Sequence, residues 1–344
     1  MKTYKLRCEI LSPVHIGSGQ EIEPMNYIIE NGRLYKISFI GFVSHMDDKQ
    51  RREFEALIDS GNLLEIRKRV AETVDKVRDS VYSIKVSLKI VELYRSKVSD
   101  IQNQLLISPF IRTEGESVPF IPGSSLKGAI RTAIISEMAK KSKLPKPKDV
   151  REEYEFESKV LGHKDAKNDP FRVVKIRDVL LHNEDTIVRD VKNMSKKKGS
   201  HLQANNIQMI CEVTHSAGSG RAVKFETEML FDNALLSTKY LSTSISKEHI
   251  IKSCNDFYKD KVEQEHKKFY KGSEIEKFSE QLLNTQSDNN SFIVRVGRFS
   301  GVESVTLDYY RNPRPPGNKT TWGTSRNLAE GLYPMGWIKV TVSE

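Results

Sequence analysis

Residues 120–135, FIPGSSLKGAIRTAII, constrain what this chain can fold into more than any other stretch. Pro122-Gly123 is a turn pair, because proline fixes φ and glycine accepts positive φ. Ser124 or Ser125 can cap a helix with its hydroxyl. Leu126, Ala129, Ile130, Ala133, Ile134 and Met138 then recur at helical spacing on one apolar face. The stretch predicts a strand end, a tight glycine loop and a helix. Lys127 and Arg131 stand four apart on the opposite side, within the first two turns. A helix N-terminus offers unpaired N–H groups and the positive end of its dipole, so this arrangement suits an anion, most simply phosphate. The same spacing also describes an ordinary capped amphipathic helix with two solvated cations. It is not a Walker loop, which needs Lys directly after the second glycine, where this chain has Ala129.

Composition narrows the partners. The net charge of +9 suits a polyanion. No apolar run approaches the roughly 20 residues that span a bilayer, and Met1 to Arg7 leads into an alternating strand, so neither a membrane segment nor a signal peptide is expected. Cys8, Cys211 and Cys254 are odd in number and far apart, without a C-x-x-C pair. That argues against a zinc site or disulfide framework and predicts a cytoplasmic protein without metal or cofactor.

Tyr4, Leu6, Cys8 and Ile10 alternate with charged residues as a first strand, which runs into the loop Pro13 to Gly19. Asn31-Gly32 between two apolar runs predicts a hairpin, followed by a short helix from Ser38. Residues 47–80 predict a helical insertion broken at Gly61-Asn62. Ile84, Val86, Leu88 and Ile90 alternate as a further strand, and a hairpin around Glu114 to Ser117 delivers the chain to Phe120. The Lys/Pro segment 140–148 is the candidate boundary between domains 1–140 and 149–344. A helix from about Asp149 ends at Gly162, and a strand covers Val173 to Leu181. A long hairpin over 186–214 projects the lysine tip Lys196, Lys197 and Lys198. Ser246 caps a helical insertion over 246–283, Phe292 to Val296 is a strand before Gly297, 311–319 is a basic loop, and Trp337 opens the closing strand.

Three small-residue loops carry the candidate chemistry: His15, Gly17, Ser18 and Gly19; Gly123, Ser124, Ser125 and Lys127, with Arg131 beyond; and Gly297, Arg298, Ser300 and Gly301. Glycine permits close backbone approach, and N–H groups with Lys or Arg hold phosphates without reading sequence. A strand, glycine loop and helix occur twice, at 118–135 and 292–305, which fits an α+β fold of two tandem ferredoxin-like units.

The segments IPGSSLKGAIRTAI, LSPVHIGSGQEI, GRFSGVESVTL and LYPMGWIKV resemble, in chain order, the RAMP proteins of type III CRISPR systems. Together they most resemble the fifth-subunit family of the type III-A Csm effector complex, which caps the crRNA 3′ side. The resemblance implies two tandem ferredoxin-like, RRM-like RAMP domains with helical insertions, and a non-catalytic crRNA-binding subunit that aids crRNA maturation in antiviral defence. It implies as partners the crRNA, the neighbouring RAMP backbone subunit and host ribonucleases. No RNP1-type aromatic motif is present, so base stacking on a sheet face is not expected. The rival reading is a metal-independent crRNA-processing endoribonuclease, with His15 as first candidate for the acid–base group and His201 as second. Asp178, Asp190 and Asp232 form neither a D-x-D pair nor an H-x-D cluster. A phosphate-metabolite enzyme would need an acid–base pair beside the glycine loop, where Lys127 and Arg131 offer only cations.

Overall fold

The computed structural model describes residues 2–196, 201–236, 244–285, 288–307, 310 and 323–344. Lys197, Lys198 and the basic loop 311–319 lie outside the described residues.

The chain folds as a mixed α+β protein around two main sheets. The first is antiparallel, in the order Ser291–Arg295, Trp337–Ser343, Lys2–Ile10, Lys224–Phe231, Val174–Ile176. Its central strand alternates as the sequence predicts: Tyr4, Leu6, Cys8 and Ile10 are buried, and Lys5 and Arg7 face solvent beside Glu226. The buried face lies in one core with the apolar residues of helices Gly123–Ser142 and Lys247–Glu265, including Ala133, Ile134, Ile250 and Cys254. Hydrophobic burial on that face, about 25 cal/mol per Å², is the main force holding helices to sheet.

The second sheet is mixed. Its spine is Thr186–Lys196, which pairs with Ile210–Thr214, Ser325–Ala329 and Leu202–Ala204. The same strand runs parallel to Ser80–Val86, and the hairpin Tyr27–Glu30 and Arg33–Ile37 extends that edge. Asn31 and Gly32 both take positive φ, 49° and 73°, as a two-residue primed turn requires.

Three expectations change. The 140–148 segment does not separate two sequential domains. Lys2–Ile10 pairs with Lys224–Phe231 and Trp337–Ser343, and Ser80–Val86 pairs with Thr186–Lys196, so both sheets interleave strands from either side of it. The strand at 80 stops at Val86, and Leu88–Lys97 is a helix with Leu88 mostly exposed; Val86 and Ile90, four apart, serve either period. The 186–214 hairpin forms, but its outer half is stitched to Ser325–Ala329, and Met194 and Leu202 pack on Phe269, Tyr270 and Leu328. It is a sheet spine and not a free arm.

Local signals hold elsewhere. Asp47 and Gln50 form a capping box on Asp48–Asp59, Asn62 caps Leu63–Thr73, and Gly61 sits between them at φ 67°. Asp149 caps Val150–Leu161, which ends at Gly162 in the left-handed region. Ser246 accepts from His249 N–H to start the long helix.

Candidate nucleic-acid interface

Strands Lys2–Ile10, Ser291–Arg295 and Val174–Ile176 are each two steps apart in an antiparallel sheet, so they run in the same direction. Of the three glycine segments, those after Ile10 and Arg295 share one end of the sheet as a ledge, because Val294 and Ile10 both stand opposite Ile338. Gly123 instead packs on Ile176, which through Met229 is level with Tyr4 farther along the sheet.

Two of them are in direct contact. The backbone N–H of Arg298 donates to the carbonyl of His15 at 2.8 Å, and Gly336 N–H donates to the Pro13 carbonyl at 2.8 Å. Gly297 has φ 82°, and a Cβ placed on it would lie 2.4 Å from the His15 carbonyl oxygen. Only glycine fits there. A buried ionic cluster fixes the roots of the second loop. Arg295 and Arg326 both donate to Glu265, the first at 2.5 Å, and Arg326 also pairs with Glu303 at 3.1 Å. Burial alone would push the Glu303 carboxyl up, yet Arg326 beside it brings the net value below the usual carboxylate range.

The His15 side chain is fully buried. Its Nδ1 lies 2.7 Å from the Glu212 carbonyl, and its ring stacks on Phe299 with centroids 6.0 Å apart. Burial holds the imidazole pKa below its ordinary value, so it is neutral near pH 7. His15, expected among the phosphate-binding loop residues, does not offer its side chain to a ligand: Nε2 is buried without a partner and does not reach solvent. A proton-transfer group must come within hydrogen-bond reach of its substrate, which His15 cannot do in this arrangement. His201 is exposed near the hairpin tip. Asp178, Asp190 and Asp232 have separate tasks: Asp178 accepts from Gly123 N–H, Asp190 pairs with Lys192, and Asp232 pairs with Lys175. Among the described residues no group of three or more His, Cys, Asp or Glu could hold a metal ion.

The helix Gly123–Ser142 starts one residue after Pro122, so Gly123 to Lys127 form its first turn and no separate glycine loop precedes it. Neither Ser124 nor Ser125 is the cap. Gly123 N–H donates to Asp178 Oδ1 at 2.7 Å, so the protein's own carboxylate already occupies this helix end. Gly123 is needed because a Cβ would meet the Ile176 carbonyl at 2.1 Å. Arg131 is also engaged. It donates to Asp169 at 2.8 Å and to Glu157 at 3.3 Å, with its guanidinium 5.0 Å from the Phe171 ring. Lys127 has no ion pair among the described residues; partial burial lowers its pKa, with Asp169 opposing that shift. Lys196 donates to the Lys271 carbonyl at 3.3 Å.

Sequence reasoning missed the support beneath this end. Glu212, fully buried, accepts from Arg112 at 2.5 Å, Thr186 Oγ1 at 2.7 Å and Phe110 N–H at 2.9 Å. Arg112 stacks 3.7 Å from the Tyr82 ring centroid. The available signal was an acidic residue inside the apolar strand Ile210–Thr214.

The gathered loops belong to a recognisable class. The RAMP superfamily profile matches residues 7–302, and the chain belongs to that superfamily. It is 26% identical to the CRISPR system Cms protein Csm5 of Methanocaldococcus jannaschii, over 99% of this chain and 90% of that protein. It is 31% identical to Csm5 of Streptococcus thermophilus over 40% of each chain. Among solved structures, a chain of a Csm–crRNA–target RNA ternary complex of a type III-A CRISPR–Cas system matches with a TM-score of 0.74 and 20% identity, covering 98% of this chain and 100% of that one. The crystal structure of T. onnurineus Csm5 matches with a TM-score of 0.58 and 20% identity, covering 96% and 99%. No helix among the described residues is long and apolar enough to cross a membrane.

Proposed function

We propose that this chain is a non-catalytic crRNA-binding subunit at the 3′-side end of a type III-A Csm effector complex, where it aids crRNA maturation in antiviral defence. The observation that carries the reading is a pair of cations. Arg298, on the ledge, is exposed, Lys127, near the start of helix Gly123–Ser142, is half-buried, and neither has an ion pair among the described residues. Around them Arg131, Arg112 and Lys175 are already committed to carboxylates. Unpaired cations beside glycine backbone suit a phosphate chain held without base selection. The relatives that carry the name Csm5, and the solved chain from a Csm–crRNA–target RNA complex, support crRNA and adjacent Csm subunits as partners.

The two RAMP units enter this proposal as spatial units, each built from interleaved strands. Gly17, Ser18 and Gly19 serve as backbone and hydroxyl contacts of the ledge, and Lys196, Lys197 and Lys198 as contacts to RNA or to the neighbouring RAMP backbone subunit. Ser300 is buried, and its hydroxyl, which donates to the Gly297 carbonyl, supports the loop from within. Host ribonucleases have no supporting observation and form no part of it. The burial of His15 favours a subunit without nuclease chemistry.

The test incubates the purified chain with labelled repeat–spacer RNA, with and without divalent metal. Retarded but intact RNA in both conditions is expected. Cleavage that a single substitution abolishes would overturn the proposal.

A further inference from the structure

A polar cleft of about 390 Å³ opens beside the ledge. One wall is the connection into Ile107–Ser108, carrying Gln102, Asn103 and Gln104; the facing wall carries Gln208. Arg298 and Phe299 close its inner end, so the cleft is continuous with the cation of the ledge. Its size sits near the lower end of small-ligand sites, about 300–1,000 Å³, which is room for a single nucleotide.

The lining is unusual in being rich in amides. Asn103 Nδ2 donates to Gln208 Oε1 at 3.1 Å, and Gln208 Nε2 donates to Asn103 Oδ1 at 3.1 Å. This reciprocal pair orients both side chains, and each amide keeps a second donor hydrogen for a ligand. Gln208 Oε1 also keeps a second acceptor lone pair, while Asn103 Oδ1 already accepts from both Gln208 and the Leu105 N–H. One carboxylate, Glu21, stands against one guanidinium, Arg298, so the charged side chains of the lining cancel. A site for phosphate alone would carry net positive charge. A balanced, amide-lined site matches a neutral group with adjacent donors and acceptors, as the edge of every nucleobase presents.

The backbone adds an independent sign. Leu105, between the two walls' polar residues, is buried and holds φ 47°, a left-handed conformation that a leucine rarely adopts. Two contacts hold it: Tyr27 Oη donates to its carbonyl at 2.8 Å, and its N–H donates to Asn103 Oδ1 at 3.2 Å. Strained backbone persists where its surroundings over-determine it, and it clusters at binding sites.

We infer that this cleft receives one base of the bound single-stranded RNA, with the Asn103–Gln208 amide pair on the base edge and Arg298 on the adjoining phosphate. The inference rests on the RNA-binding reading above and adds to it a point of base selectivity.

The experiment measures binding of oligo(A), oligo(C) and oligo(U) of equal length by fluorescence anisotropy at several salt concentrations. The proteins are the full wild-type chain and Asn103→Ala/Gln208→Ala. Wild type should prefer one oligomer over the weakest by about tenfold, within the range one bidentate amide–base contact supplies. In the double variant that preference should fall to within about twofold while the salt slope stays unchanged. Arg298→Ala, whose side chain is exposed, serves as a second variant; it should weaken all three oligomers and make the salt slope shallower. Equal affinities for the wild type, or a preference that survives the double substitution, would overturn the base site while leaving backbone binding intact. Wild type that binds no RNA would overturn the underlying reading as well. Unchanged RNA selectivity with lost docking of an adjacent subunit would make the cleft a protein contact and likewise overturn it.

Discussion

The carbonyl oxygen of His15 accepts the backbone N–H of Arg298 at 2.8 Å, which joins the loop after the first strand to the loop after Ser291–Arg295 in a single ledge. Gly297 makes the approach possible. A Cβ there would stand 2.4 Å from that oxygen, and φ is already 82°. Gly297→Ala is therefore expected to cost at least about 2 kcal/mol. Gly19 has nearly the same φ, 83°, but open space around it. Gly19→Ala should lose only the conformational share, about 1 kcal/mol. Urea unfolding of both variants checks the difference; equal losses would mean that the loop contact adds nothing.

Lys127 and Arg131 separate into two roles. Arg131 bonds Asp169 and Glu157 over the Phe171 ring, so Arg131→Ala should destabilise by about 1–3 kcal/mol. Lys127→Ala should stay within about 0.5 kcal/mol of wild-type stability and weaken RNA binding uniformly across sequences. Thermal melts beside RNA titrations distinguish them. An unstable Lys127→Ala would assign that lysine to the fold.

What the sequence made legible follows the range of the interactions. The Asn31-Gly32 turn, the helix break at Gly61-Asn62, the helix from Asp149 to Gly162, the Ser246 cap and the alternation of Tyr4 to Ile10 are decided within a few residues, and each stands where the sequence places it. The RAMP resemblance of four separated segments was also legible, and three of the four meet at the ledge through Pro13, His15, Arg298 and Gly336. The interleaving of strands across 140–148 was not, because nothing local tells Lys2–Ile10 that its partners lie at 224 and 337. The loss of His15 and Arg131 from the exposed set has the same cause. Their partners Glu212 and Phe299, and Asp169 and Phe171, are brought by tertiary packing.

Asp178 offers a check on the helix end it occupies. Its carboxylate accepts Gly123 N–H at 2.7 Å, as a cap would, although it lies across a strand pair. Asp178→Ala should cost about 0.5–2 kcal/mol, the range of a lost N-cap. RNA affinity should change little. A marked gain in affinity would mean that the carboxylate had been masking an anion site at the helix end.

Two buried histidines set an acid limit on stability. Burial, with Arg189 and Arg221 adding to it, pushes His215 down to about 4, and burial lowers His15 as well. A folded-state value below the unfolded one, near 6.5, means that the unfolded chain binds more protons between the two values. Stability is thus fully present above about pH 6.5 and is lost as pH falls through the window toward 4. Asp79, which hydrogen bonds from Arg78 above all hold at about 2, stays ionised throughout that window. His215 alone should remove about 2 kcal/mol between pH 7 and pH 5. Denaturant titrations at both pH values check this, and His215→Gln should flatten the dependence. A wild-type chain equally stable at both would refute the assignment.

The central claim is that the ledge and the start of helix Gly123–Ser142 hold an RNA backbone through unpaired cations. Its most direct test measures affinity for single-stranded RNA against salt for wild type, Lys127→Ala and Arg298→Ala. The wild-type log–log slope should be negative by about 0.7 per neutralised phosphate, and each substitution should make it shallower by about 0.7. A wild-type affinity independent of salt, or slopes that neither substitution changes, would contradict the claim.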